Sequence, residues 1–437
     1  MPPVPEAAIL RKVAWRLVPF LSFGYLMNAL DRFNVSMAAL TMNKAIGLSA
    51  TAYGMGAGAF FWSYVLFQFP ANLVLGRLGA RAWLSIVMAV WGLCTVATAF
   101  VTGEVSFVVA RFALGIAEAG FFPGVAYFMT CWFPAHFRGR MMGLFYAAGA
   151  FAGVVSAPLG SALLTLDGVL GLQGWQFVFL VEGIPAVLLA LYGPFALVNR
   201  PADATWLTQA ERTHLQARLD AEAAGKSGAG KSLWASLASP QIVMLTIAYF
   251  LIGYGVYALS FFLPLIVKSL GVSTTAVGWL LVLPNLCGSV GMILVSRSSD
   301  RTGERIWHTV IAVMLSGIGT LAAAMLLDNL ALAMASFCVA IFGIASCLPV
   351  FWNLPTAYLG AGAAAGGIAF INSFGNIAGY VAPQITGMLR DATGGYKVPL
   401  LVTGAAVLLG AVTILASGIR KHVTRGTPAL EPGTVLH

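Results

Sequence analysis

Charged side chains are scarce in this chain. Asp, Glu, Lys and Arg make up 9% of its 437 residues, while apolar residues make up 59%; an ordinary globular protein is about a quarter charged. So little charge cannot cover a water-facing surface, which excludes a soluble globular fold and leaves an integral membrane protein. Acids are the scarcer sign, 15 against 24 bases. The resulting +9 does not point to nucleic acid, because the bases fall in short loops between apolar runs rather than in a cluster with aromatics between them. Cysteine is also sparse. Cys94, Cys131, Cys287, Cys338 and Cys347 have neither zinc-like spacing nor an even count, so reduced, structural thiols are expected rather than a disulfide framework. The five histidines, His136, His214, His308, His422 and His437, fall in loops or the tail. A membrane enzyme would need a metal set or a nucleophile with its base, and none is available, so no metal and no organic cofactor is expected. A cleavable leader is not expected either, because the apolar run after Arg11, Lys12 and Arg16 is longer than a signal core and lacks a small-residue cleavage site.

Long apolar runs are what the chain does have. A hydrocarbon core of about 30 Å needs roughly 20 helical residues, and twelve runs meet that length. They lie near 17–40, 52–75, 82–101, 106–130, 139–166, 174–198, 240–268, 274–297, 306–327, 330–352, 362–390 and 397–419. Alternate loops divide the bases very unequally: 18 fall on one side, and only Lys44, Lys268, Arg390 and Lys397 on the other. The basic side, which carries both termini, is expected to be cytoplasmic. Of the 24 bases, 18 and 4 are then placed, leaving Arg32 and Arg111 inside membrane runs. The polar stretch 199–239 separates a six-helix half, 1–198, from a second, 240–437. Within it, "GKSGAGKS" from Gly225 to Ser232 satisfies the phosphate-loop pattern, but no strand precedes it, and about forty residues cannot enclose a nucleotide domain, so a flexible linker is expected.

The halves repeat one another. "RLGARAW" (Arg77, Gly79, Arg81) and "RTGERIW" (Arg301, Gly303, Arg305) share R-x-G-x-R-x-W at an offset of 224 residues, each after the second helix of its half. Six helices per half make the repeats parallel, so the expected architecture is all-α, twelve membrane helices in two parallel six-helix bundles. At this point the chain resembles the major facilitator superfamily. "SDRTGER", which includes Asp300, resembles that family's loop signature, whereas the first copy carries Gly76 where the family usually places an Asp. "RFALGIAEAGFFPG", from Arg111 to Gly124, resembles its helix 4 motif. The ensemble "LDRFN", "AEAGFFPG", "GWQFVFLVEGIP" and "FWNLPTAYLGAGAAAGGIAFINSFGN" resembles the anion:cation symporters, especially the tartrate, phthalate and hydroxyphenylacetate branch. That resemblance implies proton-coupled uptake of a small organic anion by alternating access, in a bacterial inner membrane, with nothing requiring more than a monomer. Proton-independent anion exchange or uniport is the alternative.

Charge within the membrane carries the chemical argument. Even lenient insertion scales charge about 2.5–3.5 kcal/mol for an ionised group at mid-membrane, so such groups pair or face water. Helix 1 supplies Asp31 and Arg32, helix 4 supplies Arg111 and Glu118, and helix 6 supplies Glu182. Asp31 lies roughly 21 Å in from a start near Leu17, and Arg111 roughly 7–8 Å from the opposite surface, which are similar heights in a membrane of about 30 Å. A guanidinium stays charged and forks onto carboxylates, whereas a carboxyl can take a proton. Asp31 and Glu118 are therefore the expected proton carriers, and Arg32 and Arg111 the groups coupling proton occupancy to the anion. The plainer account is an ion pair that fixes helices 1 and 4. For Glu182, a packing or gating contact is expected.

Weaker candidates line up beside these. Tyr64 and Gln68 lie one turn apart on helix 2, and Asn372, Ser373 and Asn376 form a polar patch on helix 11. All five are candidate substrate contacts or interhelical hydrogen-bonding groups. Trp352 is a cavity wall or an interfacial anchor. Ala29 stands where many chains of similar pattern carry Tyr two residues before the Asp. GxxxG pairs at Gly54/Gly58, Gly149/Gly153 and Gly375/Gly379 allow close helix approach, static or moving.

Overall fold

A computed structural model describes residues 6–224 and 239–418, and the side chains of 150, 223–224 and 357–366 are left aside. The phosphate-loop-like segment 225–232 lies outside the described residues. Among those described, the chain is helical, without a strand. The first half contains α1 (Glu6–Ala45), α2 (Ala50–Leu78), α3 (Ala80–Thr98), α4 (Glu104–Glu118), α5 (Phe121–Trp132), α6 (Ala135–Leu164) and α7 (Gly174–Ala196). A linker helix, α8 (Gln209–Ala224), follows. The second half contains α9 (Pro240–Ser269), α10 (Thr274–Leu280), α11 (Val282–Thr302), α12 (Ile306–Met325), α13 (Leu330–Phe351), α14 (Asn353–Thr393) and α15 (Lys397–Ala416).

Two of the expected single spans are broken. The run expected at 106–130 divides into α4 and α5 around Gly120. Pro123 has no N–H to bond the Ala119 carbonyl four residues back, and the Gly120 carbonyl accepts from the Trp83 indole at 3.0 Å as well as from the Gly124 amide at 3.1 Å. A Cβ on Gly120 would collide with that indole. The run at 274–297 likewise divides into α10 and α11, with Pro284 just past the break. Elsewhere the helices overrun the expected limits, α1 beginning at Glu6 and α14 extending over Asn353–Thr393. Eleven segments among the described residues are long and apolar enough to cross a membrane. The remaining expected span, 362–390, falls within α14.

The chain forms two compact units whose division differs from the expected six-plus-six boundary. The first takes Met1–Gly228 with Tyr257–Asn285 and Gly379–Pro399; the second takes Ala229–Val256, Leu286–Ala378 and Leu400–His437. Within the first unit, short segments of α9, α10 and α14 are bound to α2 and α6. The Tyr53 hydroxyl donates to the Phe261 carbonyl at 2.9 Å, and Asp391 accepts from the Ala50 amide, the Thr51 amide and the Thr51 hydroxyl at 3.2, 2.8 and 2.7 Å. Gly54 and Gly58 lie directly against backbone of Pro383 and Tyr380, where any Cβ would clash, while among the described residues nothing lies within 4 Å of a Cβ placed on Gly153.

The core of the first unit packs α3 against α7 and α1 against α6. Gly92 and Gly183 let α3 and α7 approach so closely that a Cβ on either would press on the other helix's backbone. In the second unit, Ile252, Val310, Phe351 and Val407 belong to one apolar core. The repeated loops have matching backbone: Gly79 and Gly303 both have positive φ, +75° and +68°, a conformation glycine adopts without a steric penalty. Their side chains differ. Asp300 pairs with Arg305 at 2.6 Å in the second loop, whereas in the first the Asn199 amide oxygen caps the Arg81 amide at 2.9 Å. Arg77 and Arg301 are exposed.

Candidate functional site

Polar side chains from α1, α3, α4 and α7 meet inside the first unit. On α1, Asn28, Asp31 and Asn34 lie at three-residue spacing and are all buried, so one face of an apolar helix carries three polar groups. Arg32, one residue on, points elsewhere and is partly exposed. Glu118 is fully buried at the last turn of α4.

The pairing is specific. Glu118 Oε2 accepts from the Asn28 amide at 2.7 Å and from Arg32 Nε at 3.3 Å. Asp31 does not pair with an arginine: among the described residues its oxygens accept from the Asn34 amide and the Thr95 hydroxyl, both at 2.8 Å. Asp31 and Glu118 nevertheless face each other within hydrogen-bonding reach. An ion pair of Asp31 with Arg32 is thus absent among the described residues, because adjacent helical positions diverge by about 100°. The ion pair that does cross between the helices is Arg32 with Glu118.

The two arginines occupy different environments. The Arg32 side chain is 26% exposed, and its guanidinium lies 4.9 Å from the Tyr64 ring and 5.8 Å from Phe60. Tyr25 and Tyr257 also neighbour it. Arg111 is completely buried, its guanidinium 5.1 Å from the same Phe60 ring, and none of its three nitrogens has a hydrogen-bond partner among the described residues. Each cation gains from the aromatic face, about 0.5–2 kcal/mol depending on desolvation. Arg32 is thus the partly exposed guanidinium of the pair and Arg111 the enclosed one.

Tyr64 is buried, stacked with Phe60 at 5.8 Å, while Gln68 is half-buried and offers its backbone carbonyl to Asn72. Trp352, Asn372, Ser373 and Asn376 belong to the second unit, where Trp352 packs on Tyr249 with ring centroids 4.8 Å apart. Asn372, Ser373 and Asn376 are all half-buried. A groove of about 590 Å³ between the beginnings of α1 and α6 presents Arg11, Trp15 and Arg140. Arg11, Trp15, Val18, Ser22, Tyr25 and Arg32 follow one another at three-, four- and seven-residue steps, so the groove continues the α1 face that carries Arg32.

Sequence reasoning missed Asn28, Asn34 and Thr95. An isolated Thr in an apolar helix gives little signal, since its hydroxyl usually bonds its own backbone, and Thr95 does so too, to Trp91 at 3.1 Å. The three-residue spacing of Asn28, Asp31 and Asn34 was the available clue. No group of histidine, cysteine and carboxylate side chains suited to a metal occurs among the described residues.

Comparison with known proteins identifies the family. The Major Facilitator Superfamily profile matches residues 21–383, with a second match over 245–432. A protein of Agrobacterium vitis named "Putative tartrate transporter" is 42% identical, the alignment covering 97% of this chain and 94% of the relative. The inner membrane transport protein RhmT of Escherichia coli is 35% identical over 96% and 97%. Among solved structures, a bacterial homologue of the human lysosomal transporter Spinster, inward-facing and unoccupied, superposes with a TM-score of 0.81 at 17% identity, covering 96% of this chain and 99% of that one. The D-xylose–proton symporter superposes at 0.72 with 17% identity, over 91% and 96%. The chain belongs to the major facilitator superfamily and is a multi-pass membrane transport protein, not an enzyme.

Proposed function

We propose that the protein is a proton-coupled symporter that takes up a small organic anion, a hydroxylated or aromatic carboxylate, by alternating access. The observation that carries this reading is the buried Glu118, which faces Asp31 and is held by Arg32, a guanidinium that is itself partly exposed. Two carboxyls in contact accept a proton readily, because both cannot be ionised side by side without strong repulsion. Arg32 then has two competing partners, Glu118 and an incoming carboxylate. Protonation of Glu118 frees the guanidinium for the anion, and deprotonation draws it back. Arg111 contributes a fixed positive potential, and Tyr64 orients Arg32 through its ring.

The relatives named "Putative tartrate transporter" support a carboxylate as the cargo. Tyr64, Gln68, Trp352, Asn372, Ser373 and Asn376 are proposed to supply neutral hydrogen bonds and an aromatic wall for it. The host membrane is proposed to be a bacterial inner membrane, with both termini cytoplasmic.

The test is proton uptake into dye-loaded proteoliposomes under an imposed membrane potential, on adding a panel of hydroxylated and aromatic carboxylates. Uptake triggered by one acid and absent in Asp31→Asn supports symport and identifies the substrate class. Labelled carboxylate that exchanges with no proton movement refutes proton coupling and makes the protein an anion exchanger.

A further inference from the structure

Glu182 has no part in the cycle above, yet it is only 3% exposed and neighbours Asp31 and Asn34. It is held there rigidly, because the neighbouring Gly183 is in close contact with the backbone of α3 at Gly92. Asn34 neighbours both carboxyls: its amide nitrogen donates to Asp31 at 2.8 Å, and Glu182 is the second carboxyl within its reach. Two oxygens there, Asn34 Oδ1 and Glu182 Oε2, are buried acceptors without a donor. One proton on Glu182 would satisfy both, since the resulting O–H donates to Asn34 while the Asn34 N–H donates to Asp31. Rotating the Asn34 amide by half a turn gives the mirror arrangement, with the proton on Asp31 and the Asn34 N–H donating to an ionised Glu182.

Charge counting leads to the same place. The cluster holds two permanent cations, Arg32 and Arg111, and three carboxyls, Asp31, Glu118 and Glu182. It is neutral only with one proton aboard, and a net buried charge is costly. Every helix packed on Glu182 is accounted for. Helix α1 presents Asp31 and Arg32, and α4 stands beyond Asp31 with Arg111 and Glu118. Helix α3 presents only the Cys94 thiol near Asp31, and α6 carries charge solely in its first two turns.

We propose that Glu182 is a third proton-binding carboxyl of the transport cycle, sharing one proton with Asp31 across the Asn34 amide. This rests on the proton-coupled reading. The reacting proton moves between Asp31 and Glu182 with no change in the total bound, so Glu182 sets the pH at which Asp31 and Glu118 accept the transported proton. Glu182→Gln leaves two acids facing two cations, a set that is neutral without any proton. Its proton uptake must therefore need more acid.

The experiment compares the pH profile of substrate-driven proton uptake in wild type and Glu182→Gln proteoliposomes, with substrate exchange as the check on folding. The expected result is a midpoint shifted by about one pH unit toward acid, with exchange retained. Superimposable profiles overturn the proposal while leaving symport intact; a wild type that moves no protons overturns the symport reading instead. Should Glu182→Gln fail to fold, wild type carrying ¹³C-labelled glutamate gives the answer by infrared difference spectroscopy between pH 5.5 and 9. Two labelled protonated-carboxyl bands, one from Glu118 and one from Glu182, are expected to titrate in that window, and a single band refutes the assignment.

Discussion

The two halves of the chain share a loop signature with a positive-φ glycine at its centre, but among the described residues only the first half buries charge. In the first half the buried polar groups include Asn28, Asp31, Asn34, Arg111, Glu118 and Glu182. In the second half, among the described residues, they are all serines and threonines. The physical consequence is large. Thr309, Thr320 and Ser346 each bond the carbonyl four residues back and need nothing from another helix. A buried carboxylate or guanidinium has no such local solution and must find a partner on a neighbouring helix. The first half is therefore held together by groups whose charge state matters, and the second by groups indifferent to pH. One architecture carries two chemistries, ionisable groups buried in one half and, among the described residues, only hydroxyls buried in the other.

Removing a charge from the first half should have the largest effect. Glu118→Gln keeps the shape of the side chain and its Asn28 contact while abolishing proton binding. Under a gradient of one pH unit each coupled proton sustains about a tenfold accumulation, so accumulation of substrate in proteoliposomes should collapse by at least that factor. Exchange of substrate across the membrane should continue. Accumulation at the wild-type level would remove Glu118 from the coupling and dissolve the division between the halves.

Breaking the pair from the other side tests stability rather than coupling. Arg32→Gln leaves Glu118 buried with Asn28 as its remaining partner. Stranding one member of a buried pair costs about 3–5 kcal/mol, and partial exposure of Arg32 places this case near 3. The detergent-solubilised variant should melt at a clearly lower temperature than wild type, and Arg32→Gln combined with Glu118→Gln should recover most of the loss. A double variant no more stable than Arg32→Gln alone would mean that the ion pair is not what holds α1 to α4.

Much of this was legible in the sequence, and the exceptions have physical causes. Mid-membrane charges stand out because they are expensive there, so Asp31, Arg32, Arg111, Glu118 and Glu182 were visible at once. Their pairing was not. Helical periodicity gives the face on which a residue lies, but whether Arg32 reaches Glu118 or Asp31 depends on how far α1 is rotated toward α4. Helix breaks were hidden for a related reason: Pro123 suggests a weak point, yet the close approach of the Trp83 indole to Gly120 at the break comes from another helix and is not written in the local sequence. The repeat at Gly79 and Gly303 was fully legible, because a positive-φ turn admits few alternatives to glycine. Compact units were not, since the packing of Tyr257–Asn285 and Gly379–Pro399 with the first half rests on glycine contacts between residues hundreds of positions apart.

In the second half a comparable substitution should be mild. Asn372→Ala removes a neutral, half-buried amide from α14. A neutral hydrogen bond contributes about 0.5–1.5 kcal/mol, so substrate KM should rise by no more than about tenfold while the pH profile of uptake stays in place. Movement of the profile would show that the second half takes part in proton coupling after all.

The smallest expected effect lies where the comparison has a seam, at Asp391, a residue from the second half that packs in the first unit. Burial opposes its charge, but the Thr51 hydroxyl and amide, the Ala50 amide and Arg390 outweigh burial and hold its carboxyl below the ordinary value. A carboxyl lowered on folding stabilises the fold above its ordinary value, which is about 4, and that stabilisation disappears as pH falls through the lowered one. Asp391 also acts as a cap for the first turn of α2, accepting from two amides that have no partner within the helix. Losing such a cap costs about 1 kcal/mol. Asp391→Ala should therefore melt a little below wild type at pH 7, and the gap should close as both are acidified below pH ~4. A gap that persists in acid would mean that the Asp391 contact works through packing, and that charge at this seam is as irrelevant as it is in the rest of the second half.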